Sequence, residues 1–207
     1  MEASQPKMLI WTREIFSIAQ SGLAYSKNEF DLARYRRLQE IAAEMIASQG
    51  ELTKDAVLKS FSMQAGYATP KIDVRGAVVR DGKILLVHER IDGRWSMPGG
   101  WADLGEYPSG VVVREVYEES GYQVEVRKVV GVYDANRIEP YEFYHAYKII
   151  FLCELIGGEA NASIETSDAD FFAPDKLPPL SEYRTNQSMI AEVFAHIADP
   201  NRSTYFE

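Results

Sequence analysis

Apolar positions recur at helical spacing from residue 8 to residue 66 and at strand spacing beyond it, so the pattern divides the chain in two. Trp11, Ile15 and Ile18 share one face of a first helix, which Gly22 closes. Leu38, Ile41, Met45 and Ile46 mark a second helix, stopped by Gly50. Thr53 caps a third, TKDAVLKSFSMQAG, with Val57, Leu58 and Phe61 inward and Gly66 past its end. Three short helices make a thin core of their own, which predicts packing against the second domain or against another subunit. Thr69-Pro70 marks the boundary, giving a helical domain over 1–67 and a second domain over 68–207.

In the second domain IDVRGAVVR and KILLVHER flank Asp81-Gly82, a hairpin signal, and Asp92-Gly93 makes another turn before RWSMPGG. A helix begins near Pro108 and ends near Gly121, with Val112, Val113 and Val116 on the side that packs onto a core. VEVRKVVGVYD and FYHAYKIIFLCEL follow as strands, then a Gly157-Gly158 turn. FFAPDKLPPLS reads as a last strand with a Pro-rich turn, and NQSMIAEVFAHIAD as a closing amphipathic helix. Strands before and after helices imply an α+β fold, a mixed sheet with helices on its faces.

Composition narrows the function. The 207 residues are 46% hydrophobic, enough for an ordinary core, and 31 acidic against 22 basic residues give a net charge of −9. That balance disfavours general nucleic-acid or membrane-surface binding, both of which use a basic face. It does not hinder a small anionic substrate, because a bound metal inverts the local charge. The single cysteine, Cys153, excludes an internal disulfide and fits a reducing, cytoplasmic setting. Its apolar run, IIFLCEL, predicts a buried, inert thiol. No N-terminal stretch has the pattern of a signal peptide, and no apolar run is long enough to span a bilayer.

The candidate chemistry lies in GGWADLGEYPSGVVVREVYEESGY, residues 99–122. Glu115, Glu118 and Glu119 stand at i, i+3 and i+4, within an arc of about 100° and about 6 Å of helix axis. Carboxylates that close repel one another unless a cation sits among them, and hard oxygen ligands suit Mg2+ or Mn2+, which bridge carboxylates to phosphates. Arg114, four residues before Glu118, can pair with it. A bare acidic run would read as a solvated helix face. The full set of Gly100, Glu106, Arg114, Glu115, Glu118, Glu119 and Gly121 arises by chance on the order of once in 10⁸ starting points.

This stretch resembles the signature box of the Nudix hydrolases, which hydrolyse a nucleoside diphosphate linked to another group. Two residues depart from the pattern: Tyr122 where an aliphatic residue is preferred, and Tyr107 where a small capping side chain is usual. Neither touches the chemistry. The resemblance implies an α/β/α sandwich with a mixed sheet. It also implies Mg2+ or Mn2+ held by Glu115, Glu118 and Glu119, or the base beside them, together with the carbonyl of Gly100. Glu106 and Arg114 would orient the helix and its flanking loop. TPKIDVRGAVVRDGKILLV, WSMPGGWADLGE and ETSDADFFAPDKLPPLS extend the likeness to a branch with an N-terminal helical domain, generally dimeric, that cleaves CDP-choline or ADP-ribose. CDP-choline, cut to CMP and phosphocholine, is the first expectation and ADP-ribose the second.

The general base is a glutamate of the box or one from a later loop, where Glu165 is the best outside candidate and Asp168 its rival. Each could equally be an ordinary solvated acid. Arg75, inside an apolar strand, and Arg90 are candidate phosphate contacts or structural ion-pair partners. Trp95 suits the core, whereas Trp101 can face a base or headgroup. No ligand spacing links His88 and His145, which read as packed or surface residues. Two other classes compete with a small-molecule hydrolase. A non-catalytic nucleotide sensor would usually have lost box glutamates, and all are present here. RNA-end processing would use the same metal-activated water, but the net charge disfavours it.

Overall fold

A computed structural model describes residues 6–48, 53–62, 66–103, 105–137 and 145–207. The expected stop at Gly50, the inward Phe61 side chain and the strand start at Phe143-Tyr144 lie outside what it describes. The described residues up to Pro70 form one compact unit, and those from Lys71 onward form a second. No helix among them is long and apolar enough to cross a membrane.

The first unit holds α1 (Lys7–Tyr25), α2 (Glu29–Ala47) and α3 (Lys54–Ser62). Asn28 caps α2 through the amides of Phe30 and Asp31, and the Thr53 hydroxyl accepts from the amide of Ala56 at 3.2 Å. One expectation fails here. Gly22 does not close α1, which runs on to Tyr25; instead its missing Cβ makes room for the ring of Tyr35 on α2. A glycine inside a helix costs only about 1 kcal/mol, so close packing can outweigh its role as a stop. Trp11 and Ile18 are 52% and 53% exposed, while Ile15 of the same face packs against the core of Phe16, Ala42, Ala43 and Val57. The small Ala42 and Ala43 draw Phe16 and Ala19 inward and leave the bulkier residues on the shoulder of α1.

The second unit is a seven-stranded mixed sheet between two helices. Its strands are β1 (Lys71–Arg80), β2 (Lys83–Glu89), β3 (Trp95–Ser96), β4 (Tyr122–Asp134), β5 (Ala146–Gly158), β6 (Thr166–Phe172) and β7 (Tyr205–Phe206). They run in the order β3-β2-β1-β5-β4-β7, with β6 also paired to β2. Asp81 and Gly82, both at positive φ, close the β1–β2 hairpin as expected. Alternation sorts side chains onto two faces. Val74, Val78, Leu85 and Val87 meet α4 (Pro108–Ser120) through Val111, Val112 and Val116. Ala77, Ile84, Leu86 and Ile150 meet α5 (Gln187–Ala198) through Met189, Ile190 and Val193.

Gly157-Gly158 is not a free turn: both glycines end β5 and pair with Gln123 and Tyr122. Gly158 stands at φ 83°, and a side chain there would collide with the carbonyl of Gly121, so this glycine serves both the way out of β5 and its close pairing with β4. Tyr122 is buried, edge-on to Phe171, and Cys153 is buried with its thiol pushed up to about 12 by desolvation. The two-residue β7 had no sequence signal of its own.

Helix α4 sits close to the sheet because Gly76 of β1 lies beneath it. A Cβ there would run into Val116 and come within 3.1 Å of Val112. Gly76→Ala should therefore destabilise the protein by about 1–3 kcal/mol, the cost of overpacking a filled core. Denaturant unfolding of the single variant and of a Gly76→Ala/Val116→Ala pair checks this. The pair should cost less than the sum of its parts, and additive losses would show that Gly76 does not set the approach of α4.

Candidate active site

The ends of α4 fall where its punctuation places them. Pro108 occupies the first turn after Tyr107, and Gly121, at φ 77°, turns the chain out. With its valines committed to the core, α4 turns Glu115, Glu118 and Glu119 to one side, but not equivalently. Glu119 is 5% exposed, the Glu115 side chain 12% and the Glu118 side chain 56%. Arg114 is the cation among them. Its guanidinium meets the Glu106 carboxylate through two nitrogens at 2.9 and 2.8 Å, and Glu115 and Glu118 each at 2.9 Å. The expected i, i+4 pair is thus one arm of a four-residue cluster. Arg114 holds the Glu106 carboxyl below its ordinary range, and Glu106 in turn leads the acids that raise Arg114.

Glu119 has no such cation at its side chain. Burial pushes its pKa up to about 8, with Glu89 and Glu115 adding to the rise. Arg75 and a 2.8 Å hydrogen bond from the amide of Gly99 oppose it. Burial also raises Glu115 against the pull of Arg114. Gly100 fits against this carboxylate, since a Cβ there would stand 3.1 Å from a Glu115 oxygen. The Gly100 carbonyl already accepts from the amide of Val74 at 2.9 Å, leaving its second lone pair for another partner.

Beneath the carboxylates lies a buried charge network. Arg75 donates to Asp73 at 3.0 Å and to the carbonyl of Met97 at 3.2 Å. Lys148 completes it, 2.9 Å from Asp73 and from the carbonyls of Tyr183 and Arg184. Burial works to raise Asp73, but Arg75 and Lys148 outweigh it and hold the carboxyl low. Burial brings Lys148 down to about 8 against the pull of Asp73.

A cleft of about 580 Å³ joins Gly100, Trp101 and the α4 cluster to the loop 163–165. Of the two rival loop acids, Glu165 lines this cleft and Asp168 does not; the Asp168 carboxylate accepts from the amide of Ala169. Trp101 is half-exposed on the cleft wall, with the Lys71 ammonium 5.8 Å from its ring centroid. Arg75 and Arg90 are not among the residues that line it. Arg75 is committed to Asp73, and Arg90 holds the Ser163 carbonyl through two nitrogens at 3.3 Å. Their contacts describe the ion-pair and bracing alternative rather than free phosphate ligands. His88 lies between Ser167 and the carbonyl of Gly93, and His145 is beside Asp134, both away from the cleft.

Sequence reasoning missed Asp73, Lys148, Ser163 and Thr166. A lysine inside KIIFLCEL was the one visible sign among them, because a charge in an apolar run needs a buried partner. No group of three or more acidic, histidine or cysteine side chains among the described residues is gathered as a metal cage. Arg114 occupies the space between Glu115 and Glu118 instead. The donor set nonetheless fits a hard divalent cation: oxygen ligands on one wall, with Glu115 and Glu119 both raised in proton affinity by burial.

Comparison with known proteins agrees with this geometry. Residues 6–61 match a family model described as a UDP-X-like, N-terminal oligomerisation domain, and residues 70–193 match the NUDIX domain. A putative ADP-ribose pyrophosphatase of Bacillus subtilis is 41% identical over 204 residues, covering 98% of each chain. The crystal structure of a UDP-X diphosphatase is similar over 97% of this chain and 98% of its own, at 30% identity and a TM-score of 0.64. That of an ADP-ribose pyrophosphatase from Streptococcus suis is 38% identical, with a TM-score of 0.63, over 67% of this chain and all of its own.

The electrostatics of Glu119 set a pH dependence. A carboxyl with a pKa of about 8 is protonated below that pH, so a cation bound there must displace the proton. Apparent Mn2+ affinity of the metal-free protein should therefore climb from pH 6 to 8, by up to about tenfold per unit, and level off above. Calorimetry across this range checks it, with Glu119→Gln expected to weaken binding and flatten the slope. A wild-type affinity independent of pH over that interval would contradict it.

Proposed function

The chain belongs to the Nudix family of pyrophosphatases, and from that premise we propose that its cleft hydrolyses the diphosphate of a nucleoside diphosphate linked to another group. The observation that carries this reading is the meeting of Glu115, Glu118 and Glu119 of α4 with the loop acid Glu165 across one cleft. A divalent cation, Mg2+ or Mn2+, supplies charge neutralisation for the diphosphate and acidity for water when bound there. Glu115, Glu118 and Glu119, with the Gly100 carbonyl, are the groups that would hold it. Arg114 and Glu106 keep that side of α4 in register. Glu165 takes the proton of the attacking water as its oxygen bonds to phosphorus, and the bridging oxygen leaves with the other phosphate. Trp101 offers its face to the base or headgroup.

ADP-ribose is the substrate best supported, because the relative similar over 98% of both chains carries that activity in its name. CDP-choline stands second. A quaternary ammonium is bound by an aromatic cage, and Trp101 is the single aromatic side chain among the described residues of the cleft. The helical unit is the part we assign to assembly. Met8, Trp11, Ile18 and Tyr25 are exposed on α1 at spacings of three and seven, an apolar stripe suited to a second copy. The lone buried cysteine supports a cytoplasmic setting.

Three measurements test this. Steady-state kinetics with ADP-ribose, CDP-choline, a UDP-sugar, a dinucleoside polyphosphate and 5′-triphosphate RNA, with Mg2+ or Mn2+, should give ADP-ribose the highest kcat/KM. No hydrolysis of any member would overturn the enzyme reading, and preference for RNA would move the substrate class. Glu165→Gln should lower kcat by about 10²–10⁴ while leaving Mn2+ binding intact. Light scattering should find the wild-type chain dimeric and a Trp11→Glu/Ile18→Glu variant monomeric. A dimer that survives both charges would exclude the α1 stripe as its interface.

A further inference from the structure

We propose that Thr166 is a positioning residue, whose buried hydroxyl sets where Glu165 stands relative to the carboxylates of α4. The inference rests on the role proposed above for Glu165. Thr166, the first residue of β6, is fully buried, and its hydroxyl donates to the backbone carbonyl of Glu119 at 2.6 Å. That carbonyl belongs to the last turn of α4, where helical geometry leaves carbonyls without intrahelical donors. A carbonyl can only accept, so the Thr166 proton is spent there. The hydrogen bond of 2.9 Å between the Ser163 and Thr166 hydroxyls must then be donated by Ser163.

The chain of contacts continues from Ser163 to Glu165. The Ser163 oxygen accepts from the amides of Glu165 at 3.1 Å and Thr166 at 2.9 Å. Arg90 closes the other side, its amide donating to the Glu165 carbonyl at 2.9 Å and its guanidinium to the Ser163 carbonyl. Glu165 is thus fixed through both its backbone groups, while its side chain stays exposed at the cleft. The loop is anchored on Glu119, whose own carboxylate lines the same cleft. Two acids from separate elements are linked through the hydroxyls of Thr166 and Ser163, and the position of a proton acceptor is worth most when fixed to within about 0.5 Å.

A threonine that merely caps α4 would lower stability when removed and leave turnover alone. Positioning makes a different demand. In the full chain with Mg2+, Thr166→Val should lower kcat about 10- to 100-fold with KM changed less than about twofold, and Thr166→Ser should restore kcat to within about threefold. Adding Thr166→Val to Glu165→Gln should cost less than about twofold more, since the two act as one unit. Should Thr166→Val fail to fold, Ser163→Ala interrupts the same chain and is read the same way. A folded Thr166→Val protein with wild-type kcat, or losses that multiply in the double variant, would overturn the inference. If Glu165→Gln alone retains most activity, the proposed role of Glu165 falls and takes this inference with it. That failure is read from a different variant and is distinguishable from the others.

Discussion

Crowding three carboxylates onto one turn of a helix costs free energy through repulsion and desolvation, and the second unit is arranged so that α4 cannot relieve the cost by moving. Gly76 lets the helix press onto the sheet through Val112 and Val116. The last turn is tied down by Gly121, by Thr166 and by the amide of Asn161 on the Ser120 carbonyl. With the backbone held at both its face and its end, the charges must be met where they stand. Arg114 meets those of Glu115 and Glu118, together with that of Glu106. Glu119 is met by one amide and a distant guanidinium, which leaves it holding a proton into the neutral range.

The buried network under the cleft follows the same economy. Asp73, Arg75 and Lys148 bring two cations and one anion into the interior beside Glu119 and Glu89. Apolar residues of similar volume would often serve stability as well or better, so burial of this cluster is weak evidence for a stabilising role. Its sign is more informative. One positive charge in excess beneath two buried glutamates offsets part of their repulsion, and Glu119 and Glu89 both act on Arg75 to hold its proton. The network behaves as an internal counter-charge for the acidic wall above it. That accounts for an arginine and a lysine inside apolar strands, where neither reaches the cleft surface.

Much of this was legible in the residues because it depends on local spacing. The α4 boundaries at Pro108 and Gly121, the Asp81-Gly82 hairpin, the cap at Thr53 and the alternation in β1 and β2 are settled within a few positions of chain. What escaped depends on what comes near from afar. Gly22 looked like a helix stop because a glycine that permits close approach and one that ends a helix look alike in sequence. Helical periodicity put Trp11, Ile15 and Ile18 on one face without saying what covers it, and of the three Ile15 packs against the core of the first unit. For Arg75 and Arg90 the choice between phosphate contact and structural partner stayed open in sequence, because Asp73 and Ser163 carried no signal that they would be beside them.

The box residues and the cleft walls also carry different kinds of information. Cleaving a diphosphate demands the same charge and the same proton acceptor whatever is attached to it, so spacing alone can specify it. Choosing among diphosphates depends on surfaces that touch the non-reacting ends of the substrate. Away from the carboxylates, the cleft is lined by Trp101, just past the glycine pair, and by the loop around Ser163 to Glu165, which place an aromatic face and an exposed Ile164 on the same cleft. Thr166 and Arg90 fasten the loop to α4 and to the end of β2. With Glu165 in the role proposed above, any change in that fastening would move the proton acceptor and the apolar wall together, since one short segment carries both. On that assignment turnover and substrate preference are coupled through the backbone of the loop.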